Sequence, residues 1–283
     1  MKAADLTQRI KQFVAELAAE TDAVRASGLF QNYVEAMSRF HHYSWNNQLL
    51  IVLQKPEARH VAGYNTWLKL HRHVCKGAKG IAILAPIVAR IDGEDGLPRQ
   101  RLVNFRVVYV WDVSSTDGEP LPAQPDWKST ERLAELHERL IEFAEREGIR
   151  VATGWLPAEA RGASMGGKIV LIPEASTKTL IHEIAHELLH RADDHGDELS
   201  QKAREIEAET TAYVVCRHFG LGDTKSPNYL ALWGADSTAI HSRLERIQKA
   251  ASKIMAAVEV QIANNEGPDR LTAEGAFAVP EGT

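Results

Sequence analysis

One segment of the sequence, residues 180–190, combines side chains whose types and spacing predict metal chemistry. His182 and His186 are four residues apart, so on a helix both imidazoles lie on the same face and can reach one cation. Glu183 follows the first histidine and is placed to take a proton from a water on that cation. The five-residue pattern alone is of moderate specificity, because an amphipathic helix can match it without binding a metal.

A third ligand is expected from the next helical stretch, which contains Glu205, Glu207 and Glu209. At 3.6 residues per turn, Glu205 and Glu209 share the face of Ala208, whereas Glu207 falls nearer the opposite side. A carboxylate on a buried face is costly unless it is paired or metal-bound. We therefore expect Glu205 or Glu209 to complete the metal site.

The expected cofactor is one zinc ion. Two histidines, one carboxylate and a fourth position left for water form a ligand set of catalytic zinc sites. Zinc lowers the pKa of bound water to about 7, which supplies hydroxide at neutral pH. Mn²⁺ or Co²⁺ are possible substitutes. His190 continues the spacing of four, but it lies a full turn beyond His186, and we interpret it as a helix-end residue.

The elements around these residues predict an α+β protein of two domains. The 283 residues are enough for two cores, and 44% hydrophobic and 25% charged residues are typical of a folded soluble chain. An aperiodic stretch with prolines, 114–126, predicts a linker. The expected division is 1–120 for an N-terminal domain of helices and a β-hairpin, 121–263 for a C-terminal domain with the metal helix, and 264–283 for a disordered tail.

Within the N-terminal domain, hydrophobic periodicity predicts helices followed by a hairpin. An amphipathic helix begins near Leu6, and a second helical stretch runs from about Phe30 to Leu53. The apolar run 81–88 and the β-branched, aromatic run 102–113 are separated by a loop, which predicts a β-hairpin.

The cysteines and the hydropathy pattern indicate a cytoplasmic protein without a membrane partner. Cys75 and Cys216 are far apart and form no CxxC pair, which is typical of a reducing compartment. No run approaches the roughly 18–20 apolar residues that span a bilayer. The N-terminus shows no secretory signal pattern.

Charge is distributed unevenly, which indicates a polyanionic partner for the N-terminal half. The net charge is -5, yet residues 1–113 contain 15 Lys and Arg against 10 Asp and Glu. Single-stranded nucleic acid is held by a positive groove with aromatic stacking platforms, and aromatic residues are interleaved with this basic segment. The competing interpretation places the aromatic residues in the core, which we expect for Trp67.

The candidate DNA contacts fall into three chemical types. Two aromatic rings could stack on bases, two amides could bond bases or cap a helix, and two lysines on a Gly-containing turn could contact phosphates. In that order, these residues are Tyr43, Trp45, Asn46, Asn47, Lys76 and Lys79.

Two segments of the C-terminal half resemble a known class of metallopeptidase. The motif from His182 to His186, followed by the acidic segment 205–209, is similar to the zincin peptidases of the ImmA/IrrE type. The resemblance implies a zincin-like metallopeptidase domain in which Glu205 ligates zinc and Glu209 orients a ligand histidine. Glu209 stands where Asp or Asn is commoner in this class, which leaves the two roles exchangeable.

The N-terminal half resembles the N-terminal domain of the ArdC antirestriction proteins. Residues 43–51, 61–67, 74–86 and 109–113 carry the resemblance in order. It implies single-stranded DNA binding and pairing with a zincin-like domain. Two features depart from the family pattern, because His71 stands where glycine is usual and the second half is nearer to the ImmA/IrrE type.

These observations predict a single-stranded-DNA-binding zinc metallopeptidase that hydrolyses a protein substrate. Three alternatives stay open. The first is an antirestriction protein that occludes DNA and uses its metal structurally, and the second is a regulatory protease that cleaves a repressor. The third is hydrolysis of the nucleic acid itself, which a one-metal site suits less well because phosphodiester cleavage more often uses two metals.

Overall fold

The structure is a computed structural model that describes residues 2–19, 23–92, 98–121, 129–157, 159–191, 200–222 and 237–266. The chain divides into two compact units. Of the described residues, unit 1 comprises those within 2–15 and 42–121, and unit 2 comprises those within 16–41 and 129–266.

The described residues form helices and strands, of which β3 and β4 are long and the other strands are short. In chain order they are α1 (Ala3–Ala19), α2 (Ala23–Arg39), α3 (Trp45–Gln54), β1 (Val61–Gly63), α4 (Tyr64–Lys69), β2 (Arg72–Val74), β3 (Ile81–Asp92), β4 (Pro98–Asp112), β5 (Thr116–Gly118), α5 (Thr130–Arg146), β6 (Arg150–Thr153), β7 (Gly162–Ser164), β8 (Lys168–Leu171), α6 (Thr177–His190), α7 (Gln201–His218) and α8 (Ser237–Glu266).

The β-hairpin expected in unit 1 is confirmed. β3 pairs with β4 in antiparallel orientation along its whole length, and β1 pairs with the other edge of β4. Helix α3 packs against β3, where the Asn47 side chain exchanges two hydrogen bonds of 2.9 Å with the backbone of Leu84. Trp67 is fully buried, as expected, and its indole N–H donates to the carbonyl of Trp111 at 3.0 Å.

The prediction of a single helical stretch from about Phe30 to Leu53 is wrong. The chain forms two helices here, α2 and α3, with a break at residues 40–44. Ser44 is extended, with ψ of 157°, immediately before α3. The Gln48 side chain donates a 3.0 Å hydrogen bond to the carbonyl of Tyr43. A side chain of α3 therefore satisfies a backbone group that the break leaves outside a helix.

Unit 2 places a three-stranded sheet beside a group of helices. The strand order is β6-β8-β7, with β6 parallel and β7 antiparallel to β8. Helix α6 packs against β7 and α7, and α7 also packs against α2 and α8. Between these elements lie fully buried apolar side chains, including Leu140, Ile181, Ile184, Val215 and Ile254.

The architecture is mixed α+β, as predicted, but its compact units differ from a simple division at residue 120. Glu16–His41 is grouped with the C-terminal residues, because α2 packs against α7 and α8. The expected linker contains β5, which pairs with β2. The functional boundaries 1–120 and 121–263 stay predictions.

The predicted disordered tail, 264–283, lies almost entirely outside the described residues and stays a prediction. Helix α8 continues to Glu266, and residues 267–283 lie outside the described part of the chain. Within the described ranges, the structure contains no helix with the length and apolar character needed to cross a bilayer.

Candidate metal centre

Helix α6 presents the two predicted histidine ligands on one face. The helix begins after Ser176, whose hydroxyl accepts a 3.2 Å hydrogen bond from the N–H of Thr179, which is a common N-cap arrangement. The apolar side chains of α6 are buried in unit 2. The two histidines lie one turn apart at the edge of this buried surface, with their imidazoles partly accessible.

Three donor atoms converge at this face of α6. Nε2 of His182 and Nε2 of His186 are 3.1 Å apart, and Oε2 of Glu205 from α7 lies 3.5 Å from each of them. Metal–ligand bonds of about 2.0–2.1 Å in tetrahedral geometry separate the donor atoms by roughly 3.3 Å. The three side chains therefore fit one divalent cation.

Glu209 contacts the opposite side of the His182 ring. Its Oε2 lies 3.3 Å from Nδ1 of His182, and its Oε1 accepts a 2.7 Å hydrogen bond from Nζ of Lys178. A proton on Nδ1 that faces this carboxylate leaves the Nε2 lone pair available to a metal. The geometry thus favours Glu205 as the ligand and Glu209 as the orienting residue.

Burial and charge shift the pKa values of the two histidines in opposite directions. Burial lowers the pKa of His182, but the hydrogen bond to Glu209 and the charges of Glu183 and Glu205 outweigh it, so the net pKa is raised. Burial and the neighbouring charge of His182 lower the pKa of His186. The surrounding acids thus stabilise positive charge at the site, which is the condition that a bound cation also requires.

The expectation that Glu205 and Glu209 lie on the buried face of α7, opposite Glu207, is wrong. The Glu205 side chain is 53% exposed, whereas Glu207 is fully buried. Helix α7 packs against three helices, so more than one of its faces is buried. The Glu207 carboxylate lies 3.9 Å from Arg243 and 3.8 Å from Arg246, and burial raises its pKa despite these charges.

Glu183 lies beside the three candidate ligands and is largely buried. The backbone N–H of Ser164 in β7 donates a hydrogen bond to its carboxylate, while burial raises its pKa above the ordinary value. A raised pKa makes the carboxylate a stronger proton acceptor. A Cβ at Gly162 would lie 2.8 Å from Cγ and Oε1 of Glu183, so β7 determines where this side chain can lie.

The sequence interpretation missed Glu187, one residue after the second histidine. Its buried carboxylate accepts hydrogen bonds from the Ser164 hydroxyl at 2.7 Å and from the N–H groups of Met165, Gly166 and Gly167 at 3.2, 2.9 and 2.6 Å. Both glycines have positive φ, at 70° and 93°, which favours glycine. The glycine pair was the available signal for this turn. Glu187 therefore holds the end of β7 against α6.

A cleft of about 500 Å³ opens onto the three donor atoms. Backbone of β7 lines one side, and Arg191 and Arg204 contribute positive charge. His190 also lines the cleft, where its Nε2 donates a 3.3 Å hydrogen bond to the carbonyl of Arg204. His190 is not part of the group of three donors, which consists of His182, His186 and Glu205. This agrees with its interpretation as a helix-end residue.

In unit 1, the structure contradicts the expectation that Tyr43 and Trp45 present exposed rings for stacking. Both are buried, and the Tyr43 hydroxyl donates a 2.7 Å hydrogen bond to the carbonyl of Val61. Asn47 is buried and bonded to β3, and Asn46 beside it is partly exposed. Tyr43 and Trp45 therefore belong to the core rather than to an exposed stacking surface.

Lys76 and Lys79 are exposed, as expected for phosphate contacts. Gly77 between them has φ of 81°, which permits the turn. The packing of Gly80 against Tyr109 and Trp111 places the turn beside aromatic residues. The Trp111 indole donates a 3.3 Å hydrogen bond to the carbonyl of Ala78.

Two exposed aromatic residues near this turn were not among the predicted contacts. Tyr109 is 48% exposed and Tyr64 is 50% exposed, and the rings of Tyr64 and Trp111 are 6.3 Å apart. We call the group of Tyr64, Lys76, Lys79, Tyr109 and Trp111 the aromatic–lysine surface. The alternation of β4 was the available signal, because it places Tyr109 and Trp111 on one face of the strand.

Residues 3–111 match the family model described as the N-terminal domain of anti-restriction factor ArdC. This segment is therefore similar to the N-terminal domain of the ArdC factor. The match includes α1 to most of β4 and ends before the candidate metal centre, so it covers less than half of the chain.

Other comparisons extend over more of the chain at lower similarity. An uncharacterized protein of Bacillus anthracis is 28% identical over 279 residues, which are 80% of this chain and 47% of that protein. The chain therefore spans about half the length of this curated relative. Crystal structures of the antirestriction ArdC protein from the R388 plasmid, metal-free and Mn(II)-bound, are 19% and 21% identical. The metal-free structure aligns with 77% of this chain and 86% of its own chain, with a TM-score of 0.45. The Mn(II)-bound structure aligns with 76% of this chain and 85% of its own chain, with a TM-score of 0.43. These scores do not establish a shared fold.

Proposed function

We propose that this chain is a cytoplasmic, single-stranded-DNA-binding zinc metallopeptidase of the ArdC antirestriction type. The observation that carries the peptidase proposal is the convergence of two imidazole nitrogens and the Glu205 carboxylate next to a second, largely buried carboxylate, Glu183. A metal-binding triangle with an adjacent proton acceptor is the arrangement that peptide hydrolysis requires.

Three side chains would hold the ion, namely His182, His186 and Glu205. Zinc suits two imidazoles and one carboxylate, and Mn²⁺ or Co²⁺ could replace it. When bound, the ion supplies Lewis acidity, which promotes loss of a proton from water and polarises a substrate carbonyl.

Glu183 would accept the proton of the attacking water and return it to the leaving amine. Its burial keeps the pKa raised, which suits a group that must first take and then release a proton. The N–H of Ser164 and the close approach of Gly162 restrain the carboxylate. Glu187 maintains this arrangement by fixing the turn that follows β7.

The peptidase proposal is tested with Glu183→Gln, which keeps the shape of the side chain and removes its basicity. Zinc-loaded wild type is expected to cleave members of a random peptide library, and the variant is expected to lose about 10²–10⁴-fold in rate while its zinc content stays the same. Chelation should abolish cleavage, and added zinc should restore it. Glu138→Gln, on the exposed side of α5, is the matched control.

The same preparation distinguishes the alternatives. Protection of DNA by a wild type that cleaves no peptide or protein would leave the metal with a structural role. Cleavage of labelled single-stranded DNA that requires zinc would assign the site to nucleic-acid hydrolysis. A regulatory protease would keep cleaving its isolated partner after charge reversal at Lys76 and Lys79.

Single-stranded DNA binding is the second part of the proposal, and the aromatic–lysine surface supports it. Exposed aromatic rings next to lysines suit base stacking and phosphate contact. Lys79→Glu is expected to weaken binding and to reduce the log–log salt slope by about 0.7 or more, and Tyr109→Ala to weaken it with little change in slope. Lys11→Glu, exposed on α1, is the control. A wild-type slope near zero would contradict phosphate contact.

A further inference from the structure

Unit 2 contains a second group of metal-binding side chains, formed by His41, His218 and Glu259. They come from three elements, because His41 follows α2, His218 is the last residue of α7, and Glu259 lies in α8. Nε2 of His41 is 2.9 Å from Oε2 of Glu259, and Nε2 of His218 is 2.8 Å from Oε1. One carboxylate thus faces two imidazole nitrogens.

Backbone contacts orient two of the three elements toward this carboxylate. Nδ1 of His218 lies 2.8 Å from the carbonyl of Ser38 and must donate to it, because a carbonyl oxygen only accepts. The Ser252 hydroxyl of α8 donates a 2.9 Å hydrogen bond to the carbonyl of His41. A ligating histidine commonly donates its other ring N–H to a carbonyl in this way.

The contacts of His218 limit the charge states that the group can adopt. With a proton on Nδ1, a neutral ring presents a lone pair from Nε2 to a carboxylate oxygen, which would repel it. A proton on Nε2 or on the carboxyl group would remove this repulsion, and so would a cation bound by both the nitrogen and the oxygen. All three side chains are at most 8% exposed, and burial disfavours a charged imidazolium.

We propose that His41, His218 and Glu259 form a second divalent-cation site, separate from the metal centre on α6. Two imidazoles and one carboxylate are a zinc-type donor set. Unlike Glu205, which is half-exposed on a cleft, none of these ligands is open to solvent. Because the group is closed to solvent and so to a substrate, we assign the ion a structural role.

The second site would act on the helix that supplies the first. Helix α7 carries both Glu205 and His218, and these positions are thirteen residues apart, which corresponds to roughly 20 Å of helix. That separation is too large for two metals to act on one substrate atom. The second ion would instead fix the end of α7 to α2 and α8.

Metal counting in the purified full chain tests the inference. The double variant His182→Ala/His186→Ala removes the centre on α6 and leaves the second group unchanged. We expect two equivalents of zinc in the wild type and one in the double variant, by elemental analysis after dialysis. A single equivalent in the wild type together with none in the double variant would overturn the second site.

The variant Glu259→Gln locates the second ion. Added to the double variant, it should reduce the zinc content from one to zero, whereas Glu138→Gln should leave it at one. Retention of the ion in the triple variant would overturn the assignment to these residues. Because Glu259→Gln could prevent folding, the thermal midpoint of the double variant alone provides a second measurement.

Zinc at a hundredfold excess over its dissociation constant should raise that midpoint by roughly 5–10 °C. No shift, combined with no uptake of Co²⁺ as a spectroscopic probe, would show that protons alone neutralise Glu259. Neither readout depends on peptide cleavage, so the second site can fail while the proposed peptidase centre stands.

Discussion

Oε2 of Glu209 lies 3.3 Å from Nδ1 of His182, while Nε2 of the same ring lies 3.5 Å from Glu205. The two carboxylates therefore contact opposite ring nitrogens and have different tasks. Glu205 also contacts His186, whereas Glu209 pairs with Lys178. Glu209 contacts one of the two histidines, so it can orient the His182 ring but is not the third donor of the candidate metal site.

Replacement of the two glutamates should therefore have unequal effects on metal affinity. Glu209→Ala is expected to weaken zinc binding about 10–100-fold, because His182 loses the acceptor that orients it. Glu205→Ala, which removes a ligand, should weaken it further. Competition with a chelating dye measures both constants, with Glu138→Ala as the control. A larger loss of zinc affinity in Glu209→Ala than in Glu205→Ala would mean that Glu209 is the ligand and Glu205 the orienting residue.

If the proposed peptidase activity holds, Gly162→Ala should reduce it without removing the metal. The new methyl group would lie within 3 Å of Glu183 and of the Thr179 side chain, so Glu183 or β7 must move. A small displacement of a catalytic group can cost on the order of 10²-fold in rate. The measurement is kcat on a cleaved peptide alongside zinc content, with Gly28→Ala as the control because a Cβ there meets nothing within 4 Å. Unchanged kcat would show that β7 does not restrain Glu183.

His190 should make the metal-free protein less stable in acid. Burial, followed by the charges of His186 and Arg246, lowers its pKa from 6.5 to about 4. Between these values the unfolded chain binds a proton that the folded chain does not, so the free energy of unfolding falls as the pH falls from 6.5 toward 4. The full shift corresponds to at most about 3 kcal/mol.

Denaturant unfolding in EDTA at pH 7 and pH 4.5 measures this effect. Wild type is expected to lose about 2 kcal/mol more than His190→Gln between the two conditions. His73→Gln, at an exposed position in β2, should behave as wild type. An equal loss in His190→Gln and wild type would mean that His190 is not the group responsible.

The local pattern of the sequence predicted the elements that carry the site, but long-range contacts determine the details. The histidine spacing predicted the shared face of α6, and two runs rich in apolar, β-branched or aromatic residues on either side of a loop predicted the β3–β4 hairpin. Both predictions depend only on local sequence. The face of α7 could not be assigned in this way. Periodicity identifies one apolar face, whereas α7 packs against three helices and buries Glu207 against arginines of α8.

Two further features depend on residues that are distant in sequence. Glu187 accepts bonds from a turn about twenty residues earlier in the chain, and no local pattern pairs an acid with such a turn. Tyr43 and Trp45 have the composition of a stacking surface as well as that of a core. Their burial follows from the tertiary contacts of the bend between α2 and α3.

The two cysteines should differ sharply in reactivity. Burial raises the pKa of the Cys216 thiol to about 12. The Cys216 side chain is buried and inaccessible to reagents, whereas Cys75 is exposed. Because the thiolate is the reactive form, an aromatic disulfide reagent at pH 8 should titrate one thiol in the native protein and two after denaturation. The variant Cys75→Ser should then show none in the native state. A fast-reacting second thiol in the native protein would show that the end of α7 opens on the time scale of the reaction, which would contradict the packing of this helix against α2 and α8.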